Sequence, residues 1–278
     1  TLIRAAAKNY QDVAVVTSPE DYAGILEEMK AGGGSLSPAT HWRLAQKAFR
    51  LTADYDRAIS LRLASIACVD GRFEDVKSEL PPWLDLRAPL AQALRYGENP
   101  HQAAALYSDR RRGIAGAEQL QGKELSYNNL VDLDAAWQLV QEFDLPASAI
   151  IKHTNPCGCA EAESQAESYR KAFECDPVSA FGGVLAFNRP LEEETALEIS
   201  KTFIEAIAAP DYSAKALAIL AAKKNLRLLR VADGTPDPLV VKSISGGYLV
   251  QTADLHKLDR AAAQVKTCLL YTSPSPRD

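Results

Sequence analysis

One stretch indicates the fold most directly: Ser148-Ala149-Ile150-Ile151-Lys152-His153-Thr154-Asn155-Pro156-Cys157-Gly158-Cys159. Its β-branched apolar run predicts a buried strand over residues 149–153. Pro156 biases Asn155 away from helical backbone angles and removes one backbone donor, so the strand is expected to end there. Two ionisable side chains, Lys152 and His153, would then lie at the carboxyl edge of a sheet, where α/β proteins commonly carry active groups.

Strand and helix signals alternate on both sides of this stretch. Before it, residues 12–17 have the pattern of a buried strand, and Ser37-Pro38 has the cap and first-turn proline of a helix. After it, we expect a helix from about residue 161 to 174 and an apolar strand over residues 184–187. This alternation predicts an α/β layer fold.

The composition is that of a globular protein large enough for two domains. Of the 278 residues, 47% are hydrophobic and 24% charged, which is the ordinary globular range. The net charge of -5 argues against a general nucleic-acid surface. No apolar run approaches the ~20 residues of a membrane span, and no signal peptide is evident, so a cytoplasmic location is expected. Five cysteines, an odd number, favour reduced thiols over a disulfide framework.

Lys152 and His153 are the strongest catalytic candidates on chemistry alone. Histidine titrates near neutral pH, which suits a proton shuttle. Lysine can stabilise an oxyanion that forms at an acyl carbon. Adjacent strand residues point to opposite faces, so both reach one cleft only if the strand end twists. A purely structural pair, satisfied by backbone carbonyls, is the alternative.

His153, Cys157 and Cys159 also raise the alternative of a zinc site. Zinc deaminases combine H-x-E with P-C-x-x-C. Here Asn155 replaces the glutamate, and two cysteines only two positions apart are poorly spaced to chelate one ion together. The sequence therefore favours small buried thiols and predicts no metal ligand.

Weaker signals lie elsewhere in the chain. Arg95-Tyr96 offers a guanidinium for a phosphate and an aromatic face for a heterocycle. Gly182-Gly183 allows backbone to approach a ligand closely, although glycine pairs usually only make turns. Glu205 could contact a ligand, or it could equally lie at a solvated helix end.

Taken together, several motifs identify a family. They are Arg-Ala-Ala-Ala-Lys-Asn (4–9), Arg-Tyr-Gly-Glu-Asn-Pro-His-Gln (95–102), Leu-Ser-Tyr-Asn-Asn (125–129), Ile-Lys-His-Thr-Asn-Pro-Cys-Gly (151–158), Asp-Pro-Val-Ser-Ala-Phe-Gly-Gly (176–183), Ile-Ala-Ala-Pro-Asp-Tyr (207–212) and Gly-Gly-Tyr-Leu-Val-Gln (246–251). Over residues 1–255 the chain closely resembles the bifunctional purine-biosynthesis family of AICAR formyltransferase/IMP cyclohydrolase.

The resemblance implies two reactions and two folds. Family members transfer a formyl group from the co-substrate 10-formyltetrahydrofolate to AICAR, and then close the product, FAICAR, to IMP with loss of water; the chemistry requires no metal. A cytidine-deaminase-like α/β fold carries the transfer, and a methylglyoxal-synthase-like α/β fold carries the cyclisation. Members are homodimers. A zinc-dependent nucleoside deaminase and a non-catalytic nucleotide-binding module are the competing hypotheses.

The resemblance also implies roles for individual residues. His153 matches the proton acceptor of formyl transfer and Lys152 its partner at the oxyanion. Arg95 and Tyr96 match the pair that holds the AICAR nucleotide. The substrate contacts of the family fall on Asn129, Gly182 and Glu205, and its cyclohydrolase proton acceptor falls on Lys8.

The domain boundaries follow from the same comparison of motifs. Residues 1–65 are expected to be the C-terminal part of the cyclohydrolase domain, 66–90 a connection, and 91–266 the N-terminal part of the formyltransferase domain. Family domains extend beyond both ends, so a fragment incomplete for both steps is expected. Residues 267–278 are expected to be a non-native tail, because the composition changes sharply there to serine and proline.

Overall fold

The structure is a computed structural model that describes residues 1–76, 78–109, 112–232, 238–256 and 262. Its helices in this part of the chain are α1 (Leu2–Lys8), α2 (Tyr22–Ala31), α3 (Pro38–Ala64), α4 (Gly113–Gly116), α5 (Tyr127–Val140), α6 (Gln165–Cys175), α7 (Pro177–Ala180), α8 (Glu193–Ser200) and α9 (Ala214–Leu220). Its strands are β1 (Ile66–Val69), β2 (Arg72–Asp75), β3 (Leu90–Leu94), β4 (Ala104–Tyr107), β5 (Glu118–Gln121), β6 (Ala147–Lys152), β7 (Asn155–Glu161), β8 (Val184–Phe187), β9 (Ala206–Ala209), β10 (Arg227–Arg230), β11 (Leu239–Ile244) and β12 (Gly247–Thr252). Within the described ranges, none of the helices has the length and apolar character needed to cross a membrane.

The chain divides into two compact units. The first contains Thr1–Asp85 and the described residues of Pro238–Asp278, and the second contains Leu86–Asp237. The domain boundaries expected from the sequence remain a prediction, and the expected tail lies outside the described residues.

The first unit is built on the long helix α3. Ser37 caps this helix as expected, because its hydroxyl accepts a hydrogen bond from the Thr40 backbone N–H at 3.3 Å. Helix α1 packs against α3 through small buried residues, Ala7, Ala45 and Ala48. Two antiparallel hairpins, β1–β2 and β11–β12, complete the unit.

The second unit contains a mixed sheet of six strands. Their order is β5-β10-β9-β8-β6-β7. Strands β8, β9 and β10 are mutually parallel, whereas β6 runs antiparallel to β8 and β5 runs antiparallel to β10. The α/β class is therefore confirmed, with a sheet of mixed direction. A separate antiparallel hairpin, β3–β4, belongs to the same unit.

Both faces of this sheet are covered by helices, so its central strands are apolar throughout. In β6, Ile150 faces the side that carries α6, α8 and α9, and Ile151 faces the side of α5. All four residues of β8 and of β9 are buried. Continuous burial explains why these strands appear in the sequence as unbroken apolar runs.

Two predictions of secondary structure from the sequence are wrong. Residues 12–17 form no strand, because no described segment pairs with their backbone. The helix expected from about residue 161 begins only at Gln165, after the Ser164 cap, because residues 155–161 return as strand β7. Pro156 therefore does not end the sheet, since it lies in an edge strand, where a missing backbone donor is tolerated.

Candidate active site at one edge of the sheet

The strand register brings several predicted site residues to one edge of the sheet. Ile151, near the end of β6, pairs with Val184 at the start of β8, and Val184 pairs with Ala206 at the start of β9. Ala206 in turn pairs with Arg227 at the start of β10. Residues that follow β6 therefore lie at the same edge as residues that precede β8, β9 and β10. At this edge, where the strands end, the carboxyl end of β6 lies beside the amino ends of β8, β9 and β10.

Lys152 ends β6, and His153 and Thr154 form the tight turn into β7. The Lys152 ammonium donates a hydrogen bond to the Phe181 carbonyl at 3.0 Å, which directs it toward the start of β8. His153 is exposed, with φ of 54°, and Thr154 has φ of 62°. The predicted catalytic pair thus lies at a strand end, as expected, but His153 belongs to the turn and not to the strand.

Asn129 and Glu205 are joined directly. Asn129 is buried in the first turn of α5, and its amide nitrogen donates to a Glu205 carboxylate oxygen at 2.9 Å. The same side chain completes the helix cap, since its amide oxygen accepts from the Ser126 backbone N–H at 3.2 Å. Glu205 lies just before β9, so the alternative of a helix end is wrong.

Gly182 lies in the loop between α7 and β8, at the same edge. Its φ of 75° is in the left-handed region, where glycine is favoured. Its N–H donates to the Phe203 carbonyl at 2.9 Å, which ties this loop to the segment that carries Glu205. Backbone and side-chain hydrogen bonds therefore link the segments that carry Lys152, Gly182, Asn129 and Glu205.

Arg95 and Tyr96 lie on the separate hairpin, directly after β3. The Arg95 guanidinium lies 5.1 Å from the centre of the Tyr96 ring, a cation–π arrangement. The loop beyond them is closed by Gly97 and Gln102, whose backbone N–H and carbonyl form a 2.9 Å hydrogen bond. Arg95 and Tyr96, the two residues predicted to hold the nucleotide, therefore contact each other on this hairpin.

Lys8 belongs to the first compact unit. It is the last residue of α1 and is exposed, beside the buried Ala7. A cation in the last turn is favourably placed against the helix dipole.

Cys157 and Cys159 lie on opposite faces of the sheet. A bulge in β7 opposite Ile150 and Ile151 interrupts the alternation, so Cys157 packs on the α6 side of the sheet and Cys159 on the α5 side. Burial raises the pKa of both thiols, that of Cys159 to about 11, which disfavours the thiolate that binds metal. Among the described residues, no group of three or more His, Cys, Asp or Glu side chains could hold an ion.

Sequence reasoning missed two charged residues at this edge. Asp132 accepts a hydrogen bond from the Thr154 N–H at 2.7 Å, and Arg227 lies with its guanidinium 3.8 Å from the Glu205 carboxylate. Asp132 was detectable in principle, because it lies three residues after Asn129 and hence on the same side of a helix. No local signal marks Arg227, which reaches Glu205 only because β9 and β10 are neighbours.

Comparison with known proteins identifies one family. The model of the family described as AICARFT/IMPCHase bienzyme matches residues 6–277. Among solved structures, the chain has a partial likeness to a protein described as a formate dehydrogenase accessory protein from Desulfotalea psychrophila. That alignment has 12% identity and a TM-score of 0.27, and it covers 39% of this chain and 45% of the other. A likeness of this extent supports no argument about fold or function.

Proposed function

The chain belongs to the AICARFT/IMPCHase bienzyme family, and we propose that it takes part in both of the family's reactions in purine biosynthesis. In the first, the formyl group of 10-formyltetrahydrofolate, a co-substrate, passes to the 5-amino group of AICAR. In the second, FAICAR closes to IMP and loses water. The observation that carries the proposal is the convergence of Lys152, Asn129, Gly182 and Glu205 at one sheet edge beside His153.

Formyl transfer makes two demands that this edge can meet. The amine of AICAR is conjugated to an imidazole carboxamide and is a poor nucleophile, so its proton must leave as the new C–N bond forms. His153 is exposed at the turn and accepts that proton. Lys152 stabilises the oxyanion of the tetrahedral intermediate, since an ammonium with one hydrogen bond to Phe181 has two further donors.

Substrate binding is assigned to the groups around this pair. Glu205, fixed by Asn129 and Arg227, is a carboxylate acceptor for hydroxyl or amine donors of the nucleotide. Gly182 lets backbone approach the substrate. Arg95 holds the phosphate, and the Tyr96 ring packs against the heterocycle.

Cyclisation is assigned to the first unit through Lys8. The carboxamide nitrogen of FAICAR attacks its own formyl carbon, so holding the two ends together lowers the barrier by proximity. Lys8 is the proton acceptor in this step.

The finer fold description belongs to the same proposal. Residues 1–65 are assigned to a methylglyoxal-synthase-like cyclohydrolase domain and 91–266 to a cytidine-deaminase-like formyltransferase domain. A homodimer in the cytoplasm is proposed on the family resemblance, and small molecules are its substrates.

Replacement of the proton acceptor tests the proposed transfer. In a full-length counterpart of this chain, His153→Gln is expected to lower formyl transfer to AICAR by a factor of about 10² to 10⁴, with AICAR affinity largely retained. His256→Gln is the matched control, because His256 is also exposed but lies in the other unit. Transfer that survives His153→Gln would overturn the role of this residue.

Calorimetry of AICAR binding tests the nucleotide site separately. Arg95→Ala is expected to weaken binding by at least about tenfold, because a charge-assisted phosphate contact is lost. Arg170→Ala is the control, since Arg170 is an exposed residue of the same unit that pairs with Glu194 at 3.5 Å. Binding of AICAR with no turnover would instead favour a non-catalytic nucleotide-binding module.

A further inference from the structure

The turn that carries His153 has a backbone that its own residues disfavour. Both turn residues have positive φ, 54° at His153 and 62° at Thr154. A β-branched residue at positive φ is uncommon, because its Cβ substituents crowd the backbone. Two-residue hairpin turns of this kind normally use Asn-Gly, Asp-Gly or Gly-Gly. Something outside the turn must therefore stabilise it.

Among the described residues, three hydrogen bonds that involve side chains hold the turn, and one of these comes from a distant part of the chain. The Thr154 hydroxyl and the Asn155 side-chain amide donate to the His153 carbonyl at 2.7 and 2.8 Å. Both are local and move with the turn. The third is the 2.7 Å bond from the Thr154 N–H to the Asp132 carboxylate. Because its acceptor is anchored on another element, this bond can fix where the turn lies.

Asp132 is itself held on a rigid element. It lies on α5 beside Leu133, which is fully buried against the sheet. Asn129, one turn earlier on the same helix, holds Glu205 on the far side of the edge. One helix thus positions groups on both sides of the proposed site.

We propose that Asp132 is a positioning residue for formyl transfer: its carboxylate holds the Thr154 amide and thereby keeps the strained turn in the geometry that presents the His153 imidazole. This inference rests on the proposed function of His153. Asp132 acts through the turn and not on the substrate. A matched acceptor at this position should therefore preserve activity, and a turn that no longer needs support should tolerate its loss.

Four variants test the proposal, made in a full-length counterpart for the kinetic measurements and in the present chain for the spectroscopic ones. Asp132→Ala removes the acceptor, and Asp132→Asn keeps an oxygen of the same reach without the charge. Asp132→Ala combined with Thr154→Gly removes the acceptor but places glycine where positive φ costs little. Asp134→Ala is the control, because Asp134 lies on the same helix and is exposed, with a hydrogen bond from Gln138 at 2.7 Å.

The kinetic result expected is a fall in kcat with little change in KM. Asp132→Ala should lower kcat by at least about tenfold, because a displaced proton acceptor misses the attacking amine, while KM for AICAR stays within about twofold. Asp132→Asn and the double variant should each recover most of this loss, and Asp134→Ala should behave as the wild type. A wild-type kcat in Asp132→Ala, or an equal loss in the double variant, would overturn the proposal.

A readout without catalysis separates this inference from the proposed function. The chain has only four histidines, so the His153 ring signal can be assigned in an NMR spectrum by comparison with His153→Gln. Asp132→Ala should broaden or split this signal and speed hydrogen exchange of the Thr154 amide, and Asp132→Asn should do neither. If formyl transfer survives His153→Gln, the proposed function fails, and these two measurements alone decide whether Asp132 positions the turn; an unchanged ring signal and amide would overturn that role.

Discussion

Two hairpin turns in this protein have similar positive φ angles but are made of different residue types. Asp70-Gly71 joins β1 and β2 with φ of 49° and 74°, and His153-Thr154 joins β6 and β7 with φ of 54° and 62°. Asp-Gly adopts this geometry by local preference, whereas His-Thr does not. The first turn follows from its own residues, and the second depends on Asp132, 22 positions away.

The strands beside the two turns also differ, in how deeply their residues are buried. Every residue of β2 is exposed, whereas β6 is buried over residues 147–151. Tertiary packing around β6 and β7 can therefore stabilise a strained turn, whereas β2 has no buried residue to supply the same support. Strained backbone of this kind persists where surrounding structure holds it, and it is often found at functional sites.

The largest effect is expected from breaking the packing of the β6–β7 hairpin. A Cβ at Gly158 would lie 1.8 Å from the Ala172 carbonyl oxygen of α6, so Gly158→Ala must displace the helix or the strand. We expect the free energy of unfolding to fall by about 3 kcal/mol in a denaturant titration. Gly24→Ala is the control, because a Cβ there meets nothing within 4 Å and the position is helical, so stability should not fall. A loss of less than about 0.5 kcal/mol for Gly158→Ala would contradict the tight packing.

Measuring the alkylation rates of two cysteines compares the packing of the two hairpins without any substitution. Cys68 is exposed on β1, whereas burial raises the pKa of Cys159 on β7 to about 11. A raised thiol pKa means less thiolate at pH 8, by about a hundredfold relative to an ordinary thiol, so alkylation of Cys159 should be slower than that of Cys68. Mass spectrometry of peptides after timed iodoacetamide treatment measures both rates. Labelling of Cys159 should accelerate as the pH approaches 11, and equal rates at pH 8 would show that β7 is not packed as described.

The smallest effect is expected from exchanging the residue types of the turns. Gly71→Thr should lower the free energy of unfolding by about 1 kcal/mol, because threonine is strained at positive φ. Thr154→Gly relieves the same strain but loses the hydroxyl bond to the His153 carbonyl, so its gain should be smaller than the loss at Gly71. Denaturant unfolding of both variants tests this. If Thr154→Gly destabilised as much as Gly71→Thr, strain at Thr154 would not be the relevant difference.

Sequence patterns predicted the elements that depend on local chemistry. The Ser37 cap, the strand that leads to Lys152 and the apolar strand over residues 184–187 follow from capping and burial patterns, and the structure confirms all three. The return strand β7 was missed, because its proline, glycine and cysteines lack a strand pattern and its turn lacks a turn signal. Its pairing with β6 supplies what local preference does not.

The residues of the proposed site were predicted from the sequence, because the motifs that identify the family can be recognised without knowledge of the fold. Lys152, His153, Asn129, Gly182 and Glu205 could all be named in this way. Only the tertiary structure decided that four of these positions share a hydrogen-bonded edge, that a bulge places Cys157 and Cys159 on opposite faces, and that Asp132 and Arg227 belong beside them. The physical reason is that strand order and register bring together residues far apart in the chain, and no local pattern encodes which strands become neighbours.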